Sequence, residues 1–312
     1  MTNNRQTAQS TRHSLQQAGL LVIGYIVLVF LLPASIAGRR AYHLSPLEYR
    51  TAIIAITLPS LLTWLVAFAG YAKLRQYVSV VRKSPEGPYF DKLANGCAWL
   101  AWSLPITSIF SLLTNAASDK WHTLHATSAI LSNYLGLSLS VIAFSIIGAA
   151  TRGLVNQAKL KFSLASIRSI MLFFLIAGVL YCYLIFRRLD LSSLSSAHNT
   201  YFLPIWLVVV SIIIPYLYAW FAGLLAVYEI RLFSRYTTGV LYRQALQLLM
   251  AGLTAIILSF IALQYITSVE PSKGHLVLGY RIVLISVFRI IGGGGFLLLA
   301  MGADRLKRIE EV

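Results

Sequence analysis

The sequence predicts an all-α, polytopic integral membrane protein with eight transmembrane helices, and three observations predict it. Of its 312 residues, 58% are hydrophobic and only 12% are charged, about half the charged share of a soluble domain. The apolar residues gather into eight runs of nearly membrane-spanning length. Between the runs, the basic residues are distributed unevenly over alternate loops.

The runs are Leu20–Ile36, Ser45–Ala72, Cys97–Ala117, Leu124–Ala150, Ile170–Phe186, Tyr201–Tyr228, Tyr242–Ile266 and Leu276–Met301. A hydrocarbon core about 30 Å thick takes roughly 20 helical residues to cross. The fifth run is at the short end of that range. The first is too long, and too poor in a cleavage motif, to be a removable signal peptide.

Of the 26 Lys and Arg residues, an arrangement with the N-terminus inside places 17 on the cytoplasmic side and 8 on the outer side. Arg289 falls within the last run. Cytoplasmic loops carry the basic excess, so both termini are expected inside a cytoplasmic (inner or plasma) membrane. The net charge of +16 then reflects this bias and attraction to anionic lipid headgroups. The basic residues form no continuous stripe, which argues against a nucleic-acid partner. Cys97 and Cys182 both fall inside runs and are expected to be small apolar packing residues.

Helix punctuation agrees with these boundaries. Ser45-Pro46-Leu47-Glu48 has the pattern of a capping box with Pro at the first helical position. No breaker follows until Ser84-Pro85-Glu86-Gly87-Pro88. Span 2 should therefore run about 38 residues, roughly 57 Å, and protrude into the cytoplasm beyond Ala72. Span 6 should behave alike, from near Asn199 to about Arg235.

Spans 2 and 6 also match each other. Pro59 pairs with Pro215, Trp64 with Trp220 and Arg75 with Arg231, each 156 residues apart, and both halves carry an Arg-Arg pair after their first span. Two four-helix units are expected, 20–156 and 157–301, between a polar tail (1–19) and a charged tail (302–312). An even number of spans per unit gives a parallel repeat about an axis along the membrane normal.

Two constellations could carry chemistry. Arg289 sits near the middle of span 8, where insertion of a charge costs at least about 2.5 kcal/mol. The run Gly292-Gly293-Gly294-Gly295 follows at once, allowing close backbone approach or local unwinding. Together they are candidates for binding an anion or a substrate carboxylate, with Arg281 nearer the outer mouth. The alternative is structural, with Arg289 satisfied by carbonyls and the glycines packed.

The second constellation is histidine. His43, His122, His125, His198 and His275 all fall on the outer side, at or just before an even-numbered span. Imidazoles gathered there could bind haem or a transition metal, although histidine also simply fills an interface depleted of lysine. With two four-helix halves and histidines at these ends, the layout resembles haem A synthase in outline. The resemblance implies haem-ligand roles for His43, His122 or His125, His198 and His275. The sequence departs from that family at His43, which precedes its helix and lacks an upstream Glu and a following Arg. The paired cysteines of the first outer loop are absent too. The resemblance thus covers layout and no motif.

Retinal chemistry is excluded by the lack of a lysine in the last span, and no Walker A, HExxH or GxSxG motif occurs. Asp91, Lys92 and Asn95 are expected to begin a helix, not to form a catalytic set. Small-molecule transport or binding in a cavity lined by spans 2, 6 and 8 is favoured over catalysis, with no resident cofactor expected. A haem or metal redox protein and a non-catalytic scaffold are the alternatives.

Overall fold

The computed structural model describes residues 45–117, 122–160, 213–268 and 275–311, with isolated positions (16, 19, 20, 23, 24, 27, 172, 175, 176 and 179) in the first and fifth runs. It is 93% helix, with no strand among the described residues. The helices are α1 (Pro46–Val81), α2 (Gly87–Ala117), α3 (His122–Gln157), α4 (Ile214–Tyr236), α5 (Val240–Ser268) and α6 (His275–Glu310). They correspond to spans 2, 3, 4, 6, 7 and 8. Five described stretches are long and apolar enough to cross a membrane: Pro46–Val81, Ser138–Gln157, Ile214–Tyr236, Val240–Ile266 and Ile282–Glu310.

Local sequence fixes the limits of α1 as expected. The Ser45 backbone N–H donates to Glu48 Oε2 at 2.8 Å, and the Glu48 N–H donates to Ser45 Oγ at 3.3 Å. Two donors that the first helical turn would leave unpaired are thus satisfied reciprocally. Pro46 occupies the first position, where its missing N–H costs nothing. At the other end the Ser84 N–H and hydroxyl both donate to the Val81 carbonyl, each at 2.9 Å, and turn the chain toward α2. The 36 residues of α1 extend about 54 Å at 1.5 Å per residue.

Each helix packs against the next in chain order, and α6 returns to α1, so the six close into a ring. One apolar cluster fills it and draws on every helix, through Ala67, Phe90, Phe144, Trp220, Leu249 and Phe296 among others. Large apolar side chains such as Leu62, Val287, Ile290 and Leu297 face outward. That inversion suits a surrounding solvent of lipid.

Most neighbours are antiparallel, but two seams are parallel. Along α1 and α6 the paired residue numbers rise together. Ser286 Oγ donates to the Ala55 carbonyl at 3.2 Å, Thr63 Oγ1 to the Arg289 carbonyl at 2.7 Å, and Lys73 Nζ to Asp304 at 2.8 Å. Along α3 and α4 the Ser145 hydroxyl donates to Tyr218 Oη at 3.3 Å and Arg152 meets Glu229, again in rising order. The helices α1, α3, α4 and α6 therefore all finish at one end of the ring, here called the basic end.

The helices α5 and α6 approach closely at a pair of glycines. A Cβ placed on Gly252 would lie 2.6 Å from the Gly295 carbonyl oxygen, and one on Gly295 would lie 2.7 Å from that of Gly252. Only residues without side chains let the two backbones meet this closely.

Candidate functional site

Arg289 lies midway along α6. One helical turn in either direction from it are Ile285 and the pair Gly292 and Gly293, and two turns on is Phe296; all four are buried. The faces of α6 on either side belong to its neighbours. Phe288, Gly292 and Gly295 meet α5, whereas Ser286, Gly293 and Asp304 meet α1. Arg289 therefore falls between the two, on the face of α6 that looks into the ring. Its Nε is buried and has no hydrogen-bond partner among the described residues. A buried guanidinium N–H without an acceptor is costly, because desolvation is not repaid by a bond.

The backbone at this level is already occupied. Thr63 on α1 donates to the Arg289 carbonyl, and Ser259 on α5 donates to the Phe288 carbonyl at 2.5 Å. Two hydroxyls thus clamp α6 at the residue that carries the charge. On α1, the residue next to Thr63 is Trp64, whose indole Nε1 is also buried without a hydrogen-bond partner among the described residues. Both unsatisfied groups are donors. An acceptor, and above all an anion, is the complement they lack.

The four glycines divide their work. The helix continues unbroken through all of them. A Cβ on Gly292 would meet Ser259 Oγ at 2.9 Å, one on Gly293 would meet Thr63 Oγ1 at 3.2 Å, and Gly295 faces Gly252. Gly294 has open space within 4 Å and is exposed. Three of them seat α6 against its neighbours directly after Arg289.

For the other sequence-derived candidates, the structure places backbone but not side chains. His122 and His125 lie in the first turn of α3, His275 starts α6, and Arg281 lies two turns before Arg289. The side chains of these four residues, and all of His43 and His198, lie outside the described residues. Among the described residues, no group of three or more His, Cys, Asp or Glu is placed to hold a metal ion. Asp91 pairs with Arg75, and Asn95 donates to it at 3.4 Å, which occupies the carboxylate in an ion pair at the foot of α2.

One residue that sequence reasoning passed over is Glu229. The sixth apolar run stops at Tyr228, so Glu229 reads as the first solvated residue beyond it. In the structure α4 continues through it, and its side chain is only 1% exposed. It accepts from Thr151 Oγ1 at 2.5 Å and from Arg152 Nε. The signal in the sequence was an acid one residue past an apolar run, flanked by Ile230 and, two residues on, Arg231.

The basic end holds further polar contacts. The Tyr242 hydroxyl on α5 donates to Glu86 at 2.8 Å, and Tyr77 Oη lies 3.4 Å from Tyr242 Oη. Asp304 accepts from both Lys73 and Arg308 at 2.8 Å. No known protein family, curated protein or solved structure matches this chain.

Proposed function

We propose that the chain is an eight-span membrane protein with both termini in the cytoplasm, built from two parallel four-helix units, and that it binds and transports a small anionic molecule using Arg289 as counter-charge. The observation that carries the anion is the buried Arg289 Nε on the inward face of α6, with no acceptor among the described residues. A carboxylate or phosphate oxygen would supply that acceptor in a medium of low dielectric, where a charge-assisted bond is strongest.

Support for the two units comes from paired contacts. Gly96 on α2 and Gly252 on α5 are 156 residues apart, and each is crowded by the helix that follows it: Gly96 by Ala143 and Ile147, Gly252 by Gly295 and Leu299. The contacted residues are 152 apart in both cases, Ala143 with Gly295 and Ile147 with Leu299. The chain from Gly252 to Gly295 is four residues shorter than that from Gly96 to Ala143, which accounts for the change of offset.

Support for a fifth span comes from the parallel α3–α4 seam. Helices consecutive in the ring can run parallel only if the chain between them returns over the full height of the ring, which is the task of a crossing in Ile170–Phe186. The uneven loop charges support the orientation.

The test is ligand-dependent thermal stability of purified wild type and Arg289→Gln, with inorganic phosphate, acetate and succinate as probes against chloride at equal ionic strength. At least one probe should raise the melting temperature of the wild type and leave Arg289→Gln unmoved. An equal shift in both proteins, or none in the wild type, would reject the anion site.

A further inference from the structure

We infer that the basic end of the ring is a closed gate built on the axis relating the two units, with Tyr77, Glu86 and Tyr242 barring its centre and the ion pairs Lys73–Asp304 and Arg152–Glu229 holding its two parallel seams. The inference rests on the two-unit, termini-inside reading above.

The centre of the gate is located by the repeat itself. Glu86 and Tyr242 are 156 residues apart, the same separation as Pro59 and Pro215. They occupy one position in the two units, yet they hydrogen-bond to each other at 2.8 Å. Equivalent positions of a two-fold pair come that close only beside the axis. Tyr77, fully buried and packed edge-on against Phe90 at 5.0 Å, adds its hydroxyl from α1. The helices α1 and α5 are not ring neighbours, so these contacts cross the interior.

The seams repeat the pattern with the charges exchanged. Lys73 and Glu229 are 156 residues apart on α1 and α4. Their partners Asp304 and Arg152 are 152 apart on α6 and α3, the offset already seen for Gly295 and Ala143. Each seam therefore carries one ion pair at the same level, Lys73–Asp304 on one side and Glu229–Arg152 on the other. The first unit contributes both cations, Lys73 and Arg152, and the second half both anions, Glu229 and Asp304. Both pairs bridge the units and neither lies within one, which is where a latch between two moving bodies must sit.

A polar closure also suits opening. When an ion pair or a Tyr–Glu bond separates, its members can bind water, so the net cost is a fraction of the bond's strength. Separating the apolar cluster farther along the ring would offer no such exchange. Relative motion of two repeats about a fixed site is the common route of alternating access. Here it would open this end by breaking three polar contacts together.

The test reads accessibility and needs no ligand. In a chain carrying Cys97→Ala and Cys182→Ala, a reporter cysteine replaces Leu246, which is 1% exposed and one turn beyond Tyr242 on the same face of α5. A membrane-impermeant maleimide is applied to inside-out and right-side-out vesicles. In the parent, labelling should be slow from both faces. Tyr242→Ala and Arg152→Glu should each speed labelling in inside-out vesicles by about tenfold or more, the factor set by loss of one charge-assisted hydrogen bond. Restoring opposite charges with Arg152→Glu plus Glu229→Arg should slow it again. Should Tyr242→Ala not fold, Glu86→Gln removes the acceptor's charge with little change of shape and tests the same centre. Unchanged labelling in the folded single variants, or no recovery in the charge-exchanged pair, overturns the gate. Acceleration only in right-side-out vesicles would uphold the gate and overturn the orientation. Failure of the Arg289 anion test would leave the labelling result standing.

Discussion

Adjacent glycines in α6 should respond oppositely to the same added methyl group. At Gly295 a Cβ would stand 2.7 Å from the Gly252 carbonyl oxygen, 2.8 Å from Ile256 Cγ1 and 3.1 Å from the Ile256 backbone nitrogen. Two of these are backbone atoms of α5 and cannot swing aside as a side-chain tip can. To reach ordinary contact, α5 and α6 must part by about 0.7 Å at their closest point, and a gap of that size forfeits a sizeable part of the dispersion energy along the seam. Overpacking of this kind costs about 1–3 kcal/mol. At Gly294 nothing lies within 4 Å, and there alanine should gain up to about 1 kcal/mol of helix propensity. Thermal melting of the two variants in the same detergent is the assay. Gly295→Ala should melt several degrees below wild type, while Gly294→Ala melts at or above it. If Gly295→Ala is neutral, or Gly294→Ala loses as much, the close α5–α6 packing described above is wrong.

Two further outcomes follow from particular contacts. Arg152→Ala should destabilise more than Glu229→Gln, by about 3 kcal/mol in the former. Removing Arg152 strands a carboxylate that is 1% exposed, whereas the Glu229→Gln amide keeps the Thr151 bond and lets the half-exposed Arg152 side chain turn to water; equal denaturation midpoints would contradict this. Ser45→Ala should remove one half of the capping box and cost about 1 kcal/mol. The loss should show as faster amide exchange confined to the first turn of α1, and slow exchange there would refute the cap's role.

Much of the architecture was legible because it depends on short-range chemistry. The start of α1 at Pro46 needed only the Ser-Pro-x-Glu spacing, since capping involves residues three apart. Its end near Val81 needed only the next cluster of Pro and Gly. The exceptional position of Arg289 could also be read directly, because a cation in the middle of an apolar run is expensive wherever its helix packs. Glu229 was not legible in the same way. An acid one residue beyond Tyr228 can equally face water or a neighbouring helix, and hydropathy along one chain does not distinguish the two. Nor could the glycine run show that Gly295 meets Gly252 while Gly294 meets nothing, because that division depends on where α5 lies.

By itself, then, the sequence indicated an all-helical chain with apolar helices suited to lipid, where α1 begins and ends, and which charge interrupts the last apolar run. Those properties follow from solvent preference and backbone hydrogen bonding within a few residues. Only the tertiary structure decided the closed ring, its parallel seams, the inward aspect of Arg289, and the meeting of Glu86 with Tyr242 across 156 residues. The physical reason is that side-chain contacts between helices depend on rotation and depth, and a lipid-soluble surface constrains neither until a neighbour is packed against it.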